Sequence, residues 1–240
     1  IGADGLPVIS YFDITNGDLK VARCDDAGCA SSTRTAIDTA GTVGTNTSII
    51  TGADGLPIVS YYDNTNADLK VAHCSNATCT SATVSTLDST GSVGSYSSIA
   101  IGTDGLALIS YYDETTSDLD IAHCNDVACT TATVTMVDQV GSVGSHTSIA
   151  IGSDGKGVVA YYNLSSGDLR VVHCTNATCS ATAITVVDST GDVGVSTSIA
   201  IGSDALPVIS YQDVTNADLR VLHCDTAACG AEWYSGAGDR

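Results

Sequence analysis

The sequence predicts an all-β fold built from five copies of one small antiparallel sheet. A unit of 50 residues recurs along the 240-residue chain without insertion, and each copy opens at an equivalent glycine: Gly2, Gly52, Gly102, Gly152 and Gly202. Asp, Gly, Ser and Thr dominate the polar positions and only Glu114 and Glu232 are Glu, which favours strands and turns over helices. A period of roughly 20–50 residues marks a solenoid, a propeller or an array.

Within the copy that spans 148–197, apolar runs and turn residues predict four short strands. They are Ser148–Ile151, Lys156–Tyr162, Leu169–Cys174 and Ala183–Val187. Asp and Gly residues between the runs supply the backbone angles of tight turns. A loop from Asp188 to Thr197, carrying Gly191 and Gly194, is predicted to cross to the next copy.

Four short strands joined by short loops form an antiparallel meander, and a unit of this length matches a propeller blade of roughly 40–50 residues. Val8, Ile9, Tyr11 and Phe12 put apolar side chains on both faces of one strand, as expected for a sheet packed between two neighbours. We therefore predict a five-bladed β-propeller, with one domain over 1–240. The blade frame is 1–47, 48–97, 98–147, 148–197 and 198–240.

The repeat frame is incomplete at both ends. Ile1 aligns with the last residue of a first strand, so the first blade lacks nearly all of its inner strand. Glu232–Ser235 is predicted to form the outer strand of the fifth blade. These breaks in the period are where we expect the chain to contact something else, which predicts assembly through the termini.

Ten cysteines form C-x4-C pairs at the same place in every copy. The pairs are Cys24/Cys29, Cys74/Cys79, Cys124/Cys129, Cys174/Cys179 and Cys224/Cys229. An even count at fixed spacing predicts one disulfide per blade, across the hairpin of its third and fourth strands, and an oxidising compartment. A metal site is the alternative, because a His precedes the first Cys in four copies. Neighbours on a strand point to opposite faces, however, and the first copy has Arg23 there.

The chain is strongly acidic, with 27 Asp and Glu against 8 Lys and Arg and a net charge of −19. This charge repels nucleic acid and anionic membranes, so neither is an expected partner. No apolar run is long enough to span a bilayer, so no membrane insertion is predicted. Surface solubility explains the acidity most simply. Calcium is the alternative, and the D-G turns offer it only one Asp per copy, so no cofactor or metal is predicted.

Two sets of residues are candidate ligand contacts at one end of the blades. The first set follows the second strand of each copy: Asp13, Asp63, Asp113 and Asp213. These side chains either cap turns or form a ring of carboxylates for a polar ligand. The second set is a position that differs between otherwise similar copies: Asn46, Tyr96, His146 and Ser196. It lies before the innermost strand, so it either lines the channel mouth or is exposed and unconstrained.

No catalytic motif is present in the sequence, which has no G-x-S-x-G, no H-E-x-x-H and no phosphate-binding glycine loop. Glycosidases need two carboxyl groups in different environments, whereas near-identical blades offer symmetric ones. The sequence alone therefore predicts that the chain is not an enzyme.

The phrases DGLPVISYYD, DLKVAHC and VDSTGSVG resemble tandem repeats of secreted or surface proteins of environmental bacteria. This resemblance covers Ile1 to about Cys229 and implies an extracellular or cell-surface protein. The outline is also similar to propeller lectins, although their sugar-contacting motifs find no residue-by-residue match here.

Two functional predictions follow from these observations. The first is a non-catalytic structural or protein-interaction module of a cell surface or extracellular assembly, with other proteins as partners. The second is a multivalent carbohydrate-binding propeller for surface glycans, based on five-fold repetition of Tyr and Asp near loops.

Overall fold

Eighteen strands in five antiparallel sheets make up residues 1–230, the part of the chain that this computed structural model describes. Residues 1–230 contain no helix, so none could span a membrane. Each sheet is a meander of neighbouring strands, and the sheets follow one another as blades 1 to 5. The prediction of an all-β, five-bladed β-propeller with antiparallel blades is confirmed.

The strands of each blade run from inside to outside in chain order. Blade 1 contains β1 (Val8–Asp13), β2 (Asp18–Cys24) and β3 (Ser32–Asp38). Blade 2 contains β4 (Val43–Thr51), β5 (Pro57–Asp63), β6 (Asp68–Cys74) and β7 (Ala82–Asp88). Blade 3 contains β8 (Val93–Ile101), β9 (Ala107–Asp113), β10 (Asp118–Cys124) and β11 (Ala132–Asp138). Blade 4 contains β12 (Val143–Ile151), β13 (Gly157–Asn163), β14 (Asp168–Cys174) and β15 (Thr182–Asp188). Blade 5 contains β16 (Val193–Ile201), β17 (Pro207–Asp213) and β18 (Asp218–His223).

Blades 1 and 5 have three described strands where the middle blades have four. Blade 1 begins at the strand that is second in the other blades. Glu232–Ser235, predicted as the outer strand of blade 5, lies outside the described residues.

The inner strands are longer than the sequence predicts. Strand β16 begins at Val193, inside the segment Asp188–Thr197 that the sequence predicts as a loop. Two register shifts interrupt its pairing with β17, so its side chains do not alternate regularly and the strand pattern is hidden. Gly194 permits this path: its φ is 110°, and a Cβ there would lie 2.9 Å from Leu169 Cα.

All five predicted disulfides are present, with paired Cα atoms 4.8–4.9 Å apart. They join Cys24 to Cys29, Cys74 to Cys79, Cys124 to Cys129, Cys174 to Cys179 and Cys224 to Cys229. The prediction of one disulfide per blade is therefore confirmed.

The predicted placement of the second cysteine of each pair is wrong. The sequence predicts that the two cysteines face each other across a hairpin, but Cys74 pairs with Ala82 on the adjacent strand, and Cys124 pairs with Ala132. Cys79 and Cys129 lie instead in the loops before β7 and β11. Both are fully buried, with φ angles of 51° and 52°.

A backbone turn in each loop explains this placement. The amide of Cys79 donates to the carbonyl of Asn76 at 3.0 Å, and that of Cys129 donates to the carbonyl of Asp126 at 3.0 Å. The turn folds the loop back over the end of the preceding strand, which brings the second cysteine to the first. The equivalent residues of the other blades also have positive φ: Cys29, Cys179 and Cys229. Each disulfide thus fastens a loop to the strand before it, not one strand to the next.

Neighbouring blades pack through apolar side chains and one repeated polar network. Tyr61 on blade 2 is fully buried and donates to Asp38 Oδ2 of blade 1 at 2.6 Å. Lys70 Nζ of blade 2 donates to the same carboxylate at 2.7 Å. The same arrangement recurs at two further interfaces. Asp138 accepts from Tyr161 and Arg170, and Asp188 accepts from Tyr211 and Arg220. Each of these interfaces thus combines a buried carboxylate, a phenol and a cation.

The interface between blades 2 and 3 lacks the cation. Tyr111 donates to Asp88 Oδ2 at 2.7 Å, but the place of Lys70 is taken by Asp120. This carboxyl group is 3% exposed, and its Oδ1 has no hydrogen-bond partner. Burial and the charges of Asp113, Asp118 and Asp88 raise the pKa of Asp120 to about 7. The folded protein therefore holds a proton here that the unfolded chain releases near pH 4.

We expect Asp120→Asn to stabilise the protein in a pH-dependent way. A raised folded-state pKa means that the contribution of Asp120 to stability falls as pH rises from about 4 to about 7. Relative to wild type, the free energy of unfolding of Asp120→Asn should rise by roughly 2–4 kcal/mol across this window. Urea denaturation at several pH values measures this difference. A pH-independent difference for Asp120→Asn would refute the buried titration.

We expect Asp120→Lys to raise the melting temperature at pH 7 above that of wild type. The substituted side chain would supply the cation that Lys70 supplies between Asp38 and Asp63 in blade 2, where its Nζ lies 2.7 and 3.4 Å from them. The reciprocal variant Lys70→Asp should lower the melting temperature, because it leaves buried carboxylates unpaired. Thermal melts of both variants and wild type at pH 7 measure these shifts. A melting temperature that rises in both variants, or falls in both, would contradict this account.

We expect removal of one disulfide to be tolerated. The closed loop is short, so Cys174→Ser with Cys179→Ser should lower the free energy of unfolding by only about 2 kcal/mol. Denaturant melts of the double variant and wild type measure this loss. Thiol titration of unfolded wild type should find no free cysteine, and reactive thiols would contradict the five pairs.

Candidate functional site

The four variable residues predicted from the sequence come together at the mouth of the channel between the inner strands. A depression of about 290 Å³ is lined there by two residues from each of four blades. The lining residues are Asn46, Thr47, Tyr96, Ser97, His146, Thr147, Ser196 and Thr197. The structure therefore places the predicted channel-mouth residues in one shared depression.

The backbone at these positions is constrained in the left-handed region. The φ angles are 50° at Asn46, 57° at Tyr96, 54° at His146 and 54° at Ser196. Non-glycine residues in this conformation are strained by roughly 1–2 kcal/mol, and such strain often accompanies function. Ser97 Oγ of the next blade donates to the carbonyl of Asn46 at 2.9 Å, which fixes that peptide. The alternative that this position is unconstrained does not describe its backbone.

Four aromatic rings form a continuous series on blades 3 and 4, which we call the aromatic arc: Tyr112, Tyr96, His146 and Tyr162. The Tyr96 and His146 rings meet across the blade boundary with centroids 4.4 Å apart. Tyr112 lies 6.5 Å from Tyr96, and Tyr162 lies 6.4 Å from His146. Blade 5 has Ser196 and Gln212 in the equivalent places, so the arc is not repeated there.

Hydrogen bonds hold the outer rings of the aromatic arc in place. Tyr162 donates to Asp192 at 2.6 Å, and burial, with this bond, raises the pKa of Tyr162 to about 12. The hydroxyls of Tyr112 and Ser142 are 3.1 Å apart. Burial lowers the pKa of His146, so its imidazole is neutral at neutral pH. Of the four arc residues, Tyr96 and His146 line the depression.

A carboxylate stands beside the arc on blade 3. Glu114 accepts from Ser92 Oγ at 2.8 Å and from Ser95 Oγ at 2.6 Å. Ser95 directly precedes Tyr96 in β8. Glu114 and Asp192 are thus hydrogen-bonded to residues of the arc or next to it, and neither lines the depression.

The aspartates predicted as ligand contacts cap their own turns. Asp63 accepts from Thr65 N at 2.9 Å and from Asn66 Nδ2 at 2.9 Å, and its side chain is buried. Asp113 and Asp213 make equivalent bonds. Asp13 also pairs with Lys20, whose hydrogen bond lowers the pKa of Asp13 to about 2. None of the four lines the depression.

The histidines that precede cysteines pair with the D-G turns, a contact the sequence analysis missed. The Nε2–Oδ2 distances are 2.9 Å for His73 and Asp54 and 2.8 Å for His123 and Asp104. Arg23 makes the equivalent pair with Asp4 in blade 1. Among residues 1–230, no group of three His, Cys, Asp or Glu side chains is arranged to hold a metal ion.

The sequence prediction based on Tyr near loops did not separate Tyr112 and Tyr162 from their neighbours Tyr111 and Tyr161. Tyr111 and Tyr161 are fully buried between blades. The signal was available, because adjacent residues of a strand point to opposite faces. A buried first tyrosine therefore places the second one on the opposite face.

No protein-family model matches the chain, and no curated protein sequence matches it. Among solved structures, an α-L-arabinofuranosidase from Lactobacillus brevis matches with a TM-score of 0.56 and 10% identity, over 92% of this chain and 87% of that one. A GH43 β-1,3-galactosidase matches with a TM-score of 0.59 and 10% identity, over 93% and 88%. An intramolecular trans-sialidase from Ruminococcus gnavus has a TM-score of 0.58 and 16% identity. The match covers 81% of this chain and 46% of the trans-sialidase.

These comparisons contradict two predictions from the sequence. The three solved structures named above are two glycosidases and a trans-sialidase, not structural or protein-interaction modules. The interpretation as a non-catalytic structural module is therefore wrong, and so is the prediction that the chain is not an enzyme. The prediction that the chain is not an enzyme depended on the absence of contiguous catalytic motifs in the sequence. At these identities the likeness itself establishes the fold.

We expect Ser196→Gly to stabilise the protein, because Ser196 is exposed and glycine relieves its left-handed backbone. The free energy of unfolding should rise by about 0.5–1 kcal/mol. The matched control is Ser198→Gly in the same strand, which has no positive φ and should lose stability. Denaturant melts compare the two, and equal losses in both would contradict strain at Ser196.

Proposed function

We propose that this chain is a carbohydrate-binding propeller whose ligand lies in the channel-mouth depression against the aromatic arc. The arc itself carries the proposal. The rings of Tyr96 and His146 lie 4.4 Å apart and both line the depression, so together they offer an aromatic surface against which the apolar face of a sugar ring can pack. The hydroxyls of Ser97, Thr147 and Thr197 line the same depression and supply hydrogen-bonding groups.

The comparisons support a carbohydrate ligand. The solved structures are named for action on arabinofuranosides, β-1,3-galactosides and sialosides, and they share this fold. The alternative prediction from the sequence, a lectin-like propeller, agrees better with these structures than the structural module does.

We propose one principal site, whereas the sequence predicted a multivalent carbohydrate-binding propeller. The complete aromatic arc requires an aromatic residue both at the strained position and beside it, which occurs in blades 3 and 4. Blade 2 has Asn46 and blade 5 has Ser196 at the strained position. Binding should accordingly follow a single-site isotherm.

The charge of the chain indicates which sugars fit. The net charge is −19, and Glu114 and Asp192 flank the arc. A sialic or uronic acid would bring a further carboxylate into this field, which costs affinity at low ionic strength. We therefore propose a neutral saccharide as the ligand.

Glycoside cleavage is a second candidate activity, favoured by the named activities of the solved structures. Asp192 accepts a hydrogen bond from Tyr162 of the arc, and Glu114 accepts one from Ser95, which precedes Tyr96. Glycosidases use a carboxyl pair on opposite sides of the bond that breaks. If cleavage occurs, Glu114→Gln should abolish it, and aryl-glycoside hydrolysis measures this.

We propose an extracellular or cell-surface location and a single domain over 1–240. Five disulfides form and persist in oxidising compartments, which supports export from the cytosol. Surface glycans would then be available as partners.

We expect Tyr96→Ala and His146→Ala each to weaken binding of neutral glycans by at least about tenfold, because each removes a stacking face. A glycan array identifies the ligand, and calorimetry gives affinity and stoichiometry. The matched control is Gln212→Ala, at the exposed blade 5 equivalent of Tyr112, which should bind normally. No saturable binding to any glycan, or an equal loss in the control, would refute the site.

A further inference from the structure

One face of blade 5 is exposed although its counterpart is buried in every other blade. Leu219 on β18 is 77% exposed, whereas the equivalent residues of the other blades are 0% exposed: Leu19, Leu69, Leu119 and Leu169. Val221 is 64% exposed, against 1% for Val21 and 0% for Val171. We call the exposed surface of Leu219 and Val221 the tail face.

The opposite face of blade 1 shows the complementary exposure. Ile9 on β1 is 47% exposed, whereas its counterparts are all 0% exposed: Val59, Ile109, Val159 and Ile209. Tyr11 is half-buried, whereas Tyr61 at the equivalent place is fully buried. We call the exposed surface of Ile9 and Tyr11 the head face.

The inner blades show what covers each of these faces. Leu19 and Val21 of blade 1 share one buried cluster with Val59 and Tyr61 of blade 2. Leu69 and Val71 of blade 2 share another with Ile109 and Tyr111 of blade 3. Residues of the tail-face type are therefore covered by residues of the head-face type. The chain makes this contact between each pair of consecutive blades.

We propose that the tail face of one molecule binds the head face of a second copy of this chain. Within one chain the two faces are both exposed, so they do not cover each other. A second copy supplies Ile9 and Tyr11, which are the repeat equivalents of Val59 and Tyr61. In the contact between blades 1 and 2, Val59 and Tyr61 cover Leu19 and Val21. Ile9 and Tyr11 can cover Leu219 and Val221 in the same way. The association is heterologous, because two different surfaces meet and each copy keeps one free face.

The net charge of −19 opposes the approach of two copies, while the two faces themselves are apolar. Salt screens repulsion between charges separated by more than about 10 Å at 0.1 M ionic strength. The association should therefore strengthen as salt is raised. An interface held by surface ion pairs would weaken instead.

The test is light scattering coupled to size-exclusion chromatography, on wild type and on two variants that each block one face. Leu219→Asp blocks the tail face and Ile9→Asp blocks the head face, and both residues are already exposed, so folding should be preserved. Wild type should give a mass that rises with concentration up to about 100 μM and with salt. Each variant alone should be a monomer.

A mixture of the two variants decides between head-to-tail binding and other modes. The free tail face of Ile9→Asp fits the free head face of Leu219→Asp, so an equimolar mixture should form a dimer and nothing larger. Val140→Asp, at a 73% exposed residue outside both faces, should associate like wild type. A monomeric wild type, a mixture that stays monomeric, or a loss of association in Val140→Asp would each overturn the proposal.

Discussion

The bond between a buried tyrosine and the carboxylate of the preceding blade sets the relation of one blade to the next. Tyr61, Tyr111 and Tyr161 are fully buried, and burial with the neighbouring carboxylates raises the pKa of each far above its usual value. A phenol in such a place must donate, because a buried hydroxyl without a partner costs roughly 1–3 kcal/mol. The acceptors Asp38, Asp88 and Asp138 end the outer strands, so this bond fixes the rotation between adjacent blades.

The functional interest of this protein lies where its repeat is broken. Identical blades can build a scaffold, but they place the same side chains at the equivalent position of every blade. Asp120 puts a carboxyl group between blades 2 and 3 at the position where Lys70 puts a cation between blades 1 and 2. Tyr96 and His146 place two aromatic rings together between blades 3 and 4. Both departures involve blade 3. Asymmetry of this kind distinguishes one location from four similar ones, which a binding or catalytic site requires.

The sequence predicts the architecture well, because it repeats the evidence for each strand and each cysteine pair several times. It predicts the inner strands poorly, because the register shifts after Val193 disturb the alternation on which strand recognition rests. It also places Asn46, Tyr96, His146 and Ser196 at the channel mouth. It could not show that the rings of Tyr96 and His146 meet across a blade boundary, since contacts between blades depend on how the sheets pack.

At the strained position of the channel mouth, the backbone conformation is the same in four blades although the side chain differs. An amide, a phenol, an imidazole and a hydroxymethyl group occupy the same left-handed conformation in Asn46, Tyr96, His146 and Ser196. The carbonyl groups of Asn46 and His146 are held by hydroxyls of the following blades, so their peptides are fixed without help from their own side chains. Such a position can be exchanged freely while the ring around it stays unchanged. The chain thus resembles an antibody framework in miniature, in which a few positions carry different side chains on one backbone conformation.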